Sequence, residues 1–322
     1  MLVRSWQQRM HLGSNDYTVF SYATESFDTI EELYAHATSQ LEAGNHLSSA
    51  TARRYLNNLM YEGFREIDPE LQAKGIAGLS LDTKLILYES IAQEFHPQNL
   101  QYLMALNDEM GLARDFYACE AEESTSFFSM DNIETLQNQY PNLINSLDRL
   151  LKSPTSFNIE AKSNIFQQLV DAYCIYCEIP RLNVRCKFEE DEGLQGFYSA
   201  YDKSITLNTN TDNFRRNPLG TIETLIHEAR HSKQHALAQA YRNGEIKESH
   251  SSYIAARLFH ASLMTAGGYI SPEFNYSGYR DQPAEMDARA AGGAAAAALK
   301  RNQKYLSATP QRAMQPNLAF TF

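Results

Sequence analysis

The segment TLIHEARHSKQH, residues 224–235, constrains this chain more than any other. It sets His227 and His231 four residues apart, with Glu228 beside the first. At about 100° per residue, positions four apart stand one turn above each other on one helical face. The two imidazoles therefore act together only if the segment is helical and that face borders a cleft. The flanks agree with a helix: Pro218 suits a first turn, Leu225 and Ile226 are apolar, and Asn243-Gly244 suits an end. The spacing predicts a long helix from about Leu219 to Arg242.

Two imidazoles so placed can share one metal ion at about 2 Å from each nitrogen. Glu228 points to one side of the same face, where it can take a proton from a metal-bound water. The metal brings the pKa of such a water to about 7. The plainer alternative is an amphipathic surface helix that carries two histidines. A third ligand decides between them. His235 continues the rhythm, but it lies two turns from His227, about 12 Å along the axis, too far to share an ion on a straight helix. Position 237, where a metzincin pattern needs His, is Leu. A carboxylate from a later helix, as in gluzincins, fits better, and the candidate is Glu285 in YRDQPAEMDARAAGG. Asp281 can cap that helix and Pro283 suits its first turn. Ala288 is small enough to let it approach the histidine helix. As an alternative, Glu285 is a first-turn acid that favours the helix dipole. Asp287, two residues from Glu285 and so about 200° round the helix from it, should not share its metal. It is expected to pair with an arginine, for which Arg230 is the candidate, or to support a ligand from behind.

HEARHSKQ followed by YRDQPAEMDA resembles metallopeptidase domains of bacterial effectors and polymorphic toxins, with the pattern H-E-x-R-H-x-x-Q, then Y-x-x-Q-P-x-E-x-D-A. Arg230, Gln234, Tyr279, Gln282, Pro283, Glu285, Asp287 and Ala288 match it. The resemblance implies His227, His231 and Glu285 as ligands of one zinc ion and Glu228 as the base. It spans about the last 150 residues and departs from the thermolysin-like pattern, which has Asp where this chain has Arg289. An oxyanion donor is also needed. Tyr279, Tyr276, Tyr269, His250 and His260 are available, and Tyr279 is preferred because it recurs in the similar domains.

The remainder of the chain reads as an α+β protein, mostly helical. Residues 1–155 carry helical periodicity throughout, including TARRYLNNLMYEGF, LDTKLILYESIAQEF and NLQYLMALNDEMG, and form a helical accessory region. A box of Asp28 and Glu31 is expected to open the first of these helices, which runs towards Gly44. Pro141 starts or kinks a helix. Residues 156–306 form a zincin-like metallopeptidase domain with a small mixed sheet. In it, a helix over Asn158–Glu178 precedes a strand over 181–188 and two short strands around Asp202-Lys203. Helices over 251–266 and from Asp281 through the alanine-rich run follow. Residues 307–322 are an irregular tail.

A formal net charge of -11 argues against a coat for nucleic acid or for an anionic membrane. No run approaches the roughly 20 apolar residues of a membrane span. No secretory signal is visible, so the expected place of synthesis is a cytoplasm, with signal-peptide-independent export or injection as the route an effector takes. Cys174 and Cys177 sit in an apolar run and read as small hydrophobes. Cys186 adds a third thiol and Cys119 lies far upstream, so the sequence does not supply the fourth convergent ligand that a zinc site needs. The expected partner is a protein or peptide substrate. Two other classes stay open: an inert metal-containing binding module, and a helical scaffold whose histidines bind nothing. Imidazole and carboxylate also accept manganese, cobalt or nickel.

Overall fold

A computed structural model of the chain describes residues 26–110 and 122–307. The protein is mostly helical with a small three-stranded mixed sheet. Its described residues divide into two compact units, one of 26–110, 199–202 and 230–290, the other of 122–198, 203–229 and 291–307. The expected Cys119 lies outside the described residues, as does all of the C-terminal tail after Ser307.

The first unit opens with α1 (Ile30–Glu42), α2 (Ser49–Met60), α3 (Pro69–Lys74), α4 (Leu81–Ala92) and α5 (Asn99–Met110). Their starts follow from side-chain caps: Ser48, Asp68 and Ser80 each accept a backbone N–H from the first turn. At α1 the cap differs from the sequence expectation by one residue. Thr29 rather than Asp28 accepts from the Glu32 N–H, and Glu32 reaches back to the N–H of Asp28. Thr29 directly precedes the first helical residue, Ile30, and so is the one whose hydroxyl faces the open donors. Gly44, at φ 75°, then ends the helix in the left-handed region. These helices pack around Tyr55, Leu56, Phe64, Leu85, Tyr88 and Ile91, and Leu258 and Ala261 belong to the same core.

The second unit contains α6 (Met130–Gln139), α7 (Pro141–Lys152) and α8 (Ile159–Tyr176). Pro141 starts a new helix, as one of its two expected outcomes. Strands β1 (Asn183–Lys187), β2 (Gly196–Ser199) and β3 (Ser204–Asn208) follow. The order is β1-β3-β2, with β1 parallel to β3 and Val184 opposite Ile205. Lys203 takes φ 50° in the turn that joins β2 to β3. β3, buried along its length, lies in the centre, and β1 and β2 are the two outer strands. Cys174 and Cys177 are buried in this unit's core beside Phe166, Leu169 and Leu207, packed as apolar residues.

After a short α9 (Asp212–Arg216), Asn217 accepts the N–H of Gly220 and opens α10 (Pro218–Arg242). Gly244, at φ 70°, ends it. Then come α11 (Tyr253–Leu263), α12 (Tyr276–Asp281) and α13 (Pro283–Leu306). Asp281 does not cap α13. It closes α12 instead, with its carboxylate held by Arg280 at 2.8 Å. Gln282, wedged between the two helices, bonds both the N–H and the carbonyl of Ile270 and so fixes where Pro283 starts α13.

The alanine-rich helix packs as closely as its composition suggests. A Cβ on Gly292 would stand 2.5 Å from the Glu223 carbonyl oxygen and 3.3 Å from the Cβ of His227. At neighbouring Gly293 a Cβ would meet nothing within 4 Å. The two glycines should therefore respond oppositely to alanine. Gly293→Ala should stabilise by up to about 1 kcal/mol through helix propensity. Gly292→Ala should destabilise by about 1–3 kcal/mol, because helix backbone cannot give way. Urea midpoints of the two variants check this, and equal shifts would refute it.

Candidate metal centre

Helices α10 and α13 run antiparallel along each other. Gly292 lies on Glu223 and His227, Asp287 lies on Arg230, and Ala284 lies on Gln234. On α10, His227 and His231 stand one turn apart, as their spacing requires. On α13, Glu285 occupies the first turn, where the unpaired N–H groups favour a carboxylate. One ligand atom each from His227, His231 and Glu285 lies within 4.8 Å of the others. The Nε2 of His231 is 3.5 Å from Oε1 of Glu285. Two ligands each about 2.1 Å from one tetrahedral ion stand about 3.4 Å apart, so that spacing suits a shared cation. It is long for a direct hydrogen bond.

Burial separates the roles. The Glu285 side chain is 3% exposed, whereas those of His231 and His227 keep 12% and 16%. Both imidazoles thus retain some contact with solvent while the carboxylate is enclosed. Glu228, 9% exposed, has its Oε1 3.9 Å from Nε2 of His227. It stands beside the three-residue group without belonging to it.

A second set of polar groups lies deeper. Arg230 and Asp287 are both fully buried and joined by two hydrogen bonds, Nε to Oδ2 at 2.7 Å and Nη2 to Oδ1 at 3.1 Å. The pairing expected of Asp287 with Arg230 is thus present, and Asp287 also accepts from Nε2 of Gln234 at 2.6 Å. Gln234 donates in addition to the carbonyl of Ala284 at 2.8 Å, and its Oε1 lies 2.8 Å from Nδ1 of His231. Gln234 was legible only as a matched letter of a pattern. The available signal was its position three residues after His231 and four after Arg230, which puts all three on the face turned to α13.

His235 is not part of the three-residue group. Burial pushes its imidazole down to about 4, with His231 adding to the shift, so it is neutral near pH 7. The Tyr279 ring lies 6.2 Å from that of Tyr269 and 6.4 Å from that of Tyr276. His250 is exposed and accepts the N–H of Ser252 within a turn, and His260 packs against Tyr241 at 5.4 Å.

Compared with protein-family models, curated proteins and solved structures, the chain matches none.

Proposed function

We propose that this protein is a zinc-dependent endopeptidase with a zincin-like domain, in which His227, His231 and Glu285 hold one zinc ion. The observation that carries the reading is the convergence of those three donors from two helices within 4.8 Å, two of them on residues that the H-E-x-x-H spacing singles out independently. When bound, the ion supplies a polarised substrate carbonyl and a water whose pKa is lowered to about 7. Glu228 takes a proton on its carboxylate and hands it to the leaving amine. Its place beside His227, outside the donor set, supports that role. Tyr279 is assigned as the donor to the oxyanion.

The substrate is a protein segment bound in extended form. β2 supports this, because it is an outer strand, and the position of Gly196 at its start, 3.1 Å from Thr224 for a built Cβ, puts it against the turn of α10 that precedes His227. Main-chain pairing to such an edge gives affinity without demanding one sequence. The action of an effector or toxin on a host or rival protein follows by analogy with the similar motif alone. Among the described residues no helix is long and apolar enough to cross a membrane.

Metal content by mass spectrometry tests the reading. Wild-type protein should carry about one zinc per chain, and His231→Ala and Glu285→Ala should each lose most of it, since a catalytic site needs all three protein ligands. A wild-type protein that takes up no metal, even with zinc added back, would sink the enzyme reading and leave a helical scaffold.

A further inference from the structure

A neutral imidazole can carry its proton on either ring nitrogen, and only the bare nitrogen can bind a metal. In His231 the nitrogen nearer Glu285 is Nε2, and Nδ1 faces the side chain of Gln234. Which nitrogen is bare therefore depends on which end of the Gln234 amide points at the ring.

The surroundings of Gln234 leave one orientation. Its side chain is fully buried. One end of the amide faces the Ala284 carbonyl at 2.8 Å and the Asp287 carboxylate at 2.6 Å. A carbonyl only accepts, and a carboxylate already accepting twice from Arg230 offers lone pairs alone. The NH2 end of the amide must lie there, because a flipped amide would set its oxygen against two acceptors and leave two buried lone-pair contacts unmatched. The oxygen end then faces Nδ1 of His231, so that nitrogen must be the donor.

We infer that Gln234 is a positioning residue that holds the proton of His231 on Nδ1 and keeps Nε2 bare before any metal arrives. Arg230 and Asp287 act one step behind it, because their ion pair is what forbids the amide to turn over. The four side chains form one network that converges on Asp287: Arg230 donates to Asp287, Gln234 donates to Asp287 and to the Ala284 carbonyl, and His231 donates to Gln234. The tautomer is a property of the metal-free protein. The zinc reading enters only in the second part of the test.

The first part uses the full-length, chelator-treated protein labelled with 15N, at a pH where the ring is neutral. Long-range proton–nitrogen correlation should show His231 as a single Nδ1–H form. A ring protonated on Nε2, or an even mixture of the two, would overturn the inference, whatever the metal content turns out to be. The second part compares Gln234→Leu with Gln234→Glu. Leu offers no acceptor to Nδ1, so the tautomer should become mixed and zinc affinity, by competition with a chromophoric chelator, should fall about 10–100-fold. Glu keeps an oxygen for Nδ1 but sets a second acid against Asp287. It should unfold more easily than Leu and yet retain the Nδ1–H form and the larger share of the affinity. A role in packing alone predicts the same ranking for stability and for affinity, and that result would also overturn the inference.

Discussion

Asp287→Ala should destabilise the metal-free protein by about 3–5 kcal/mol, a large part of the stability of an ordinary domain. The cause is what the substitution leaves behind. Arg230 is fully buried, and both of its hydrogen bonds to Asp287 would vanish at once. A guanidinium cannot shed its proton to escape, as a lysine could. Gln234 would lose an acceptor in the same step. Urea unfolding of the chelator-treated protein measures this without interference from metal binding. Arg230→Met combined with Asp287→Leu removes both charges and should recover much of the loss, because the burial penalty of each ion disappears with it. A single substitution that costs less than about 1 kcal/mol, the range of an exposed pair, would show that the pair carries no such role.

Glu228→Gln should lower peptide-bond cleavage by about 10²–10⁴-fold while leaving zinc content near that of the wild type. The amide keeps the size of the side chain and removes its ability to take a proton. Glu228 lies beside His227 but outside the three-residue donor group, which is why metal and activity should separate in this variant. Turnover of an unfolded protein such as casein, measured together with metal content, gives both readouts from one preparation. Cleavage undiminished in a zinc-loaded Glu228→Gln protein would remove Glu228 as the base. A loss of zinc in step with activity would assign it to the metal instead.

Much of the fold was legible because its elements are local. Long helices announce themselves by apolar spacing, and Pro141, Pro218 and Pro283 each stand at the first position of one. The turn around Asp202-Lys203 was also readable because Asp202 favours turns, although Lys203 is the residue that takes the left-handed φ of 50°. What escaped was decided at a distance or by a single atom. Caps at Thr29 and at the α12–α13 junction turn on which of two adjacent polar residues faces the open N–H groups, and periodicity says nothing of that. The parallel pairing of β1 with β3 depends on what covers the strands.

At the candidate site, the spacing of His227 and His231 and the small residues around Glu285 carried the geometry forward from sequence. Gln234 could not be read the same way. Its function comes from the carbonyl of Ala284 and the carboxylate of Asp287 on another helix, fifty residues and more along the chain.

The core built by α1 to α5 has a consequence for how the protein is made. Leu258 and Ala261 belong to that core, and the buried Arg257 pairs with Glu89 at 2.6 Å across a separation of 168 residues. A ribosome adds about 5–20 residues per second, so on the order of ten seconds pass between the emergence of α5 and that of α11. Throughout that interval the nascent helices hold an apolar face uncovered, and Glu89 has His46 at 2.9 Å but still lacks Arg257. A chaperone that shields exposed apolar surface would find its longest opportunity there, and a fragment ending before residue 253 should aggregate rather than fold.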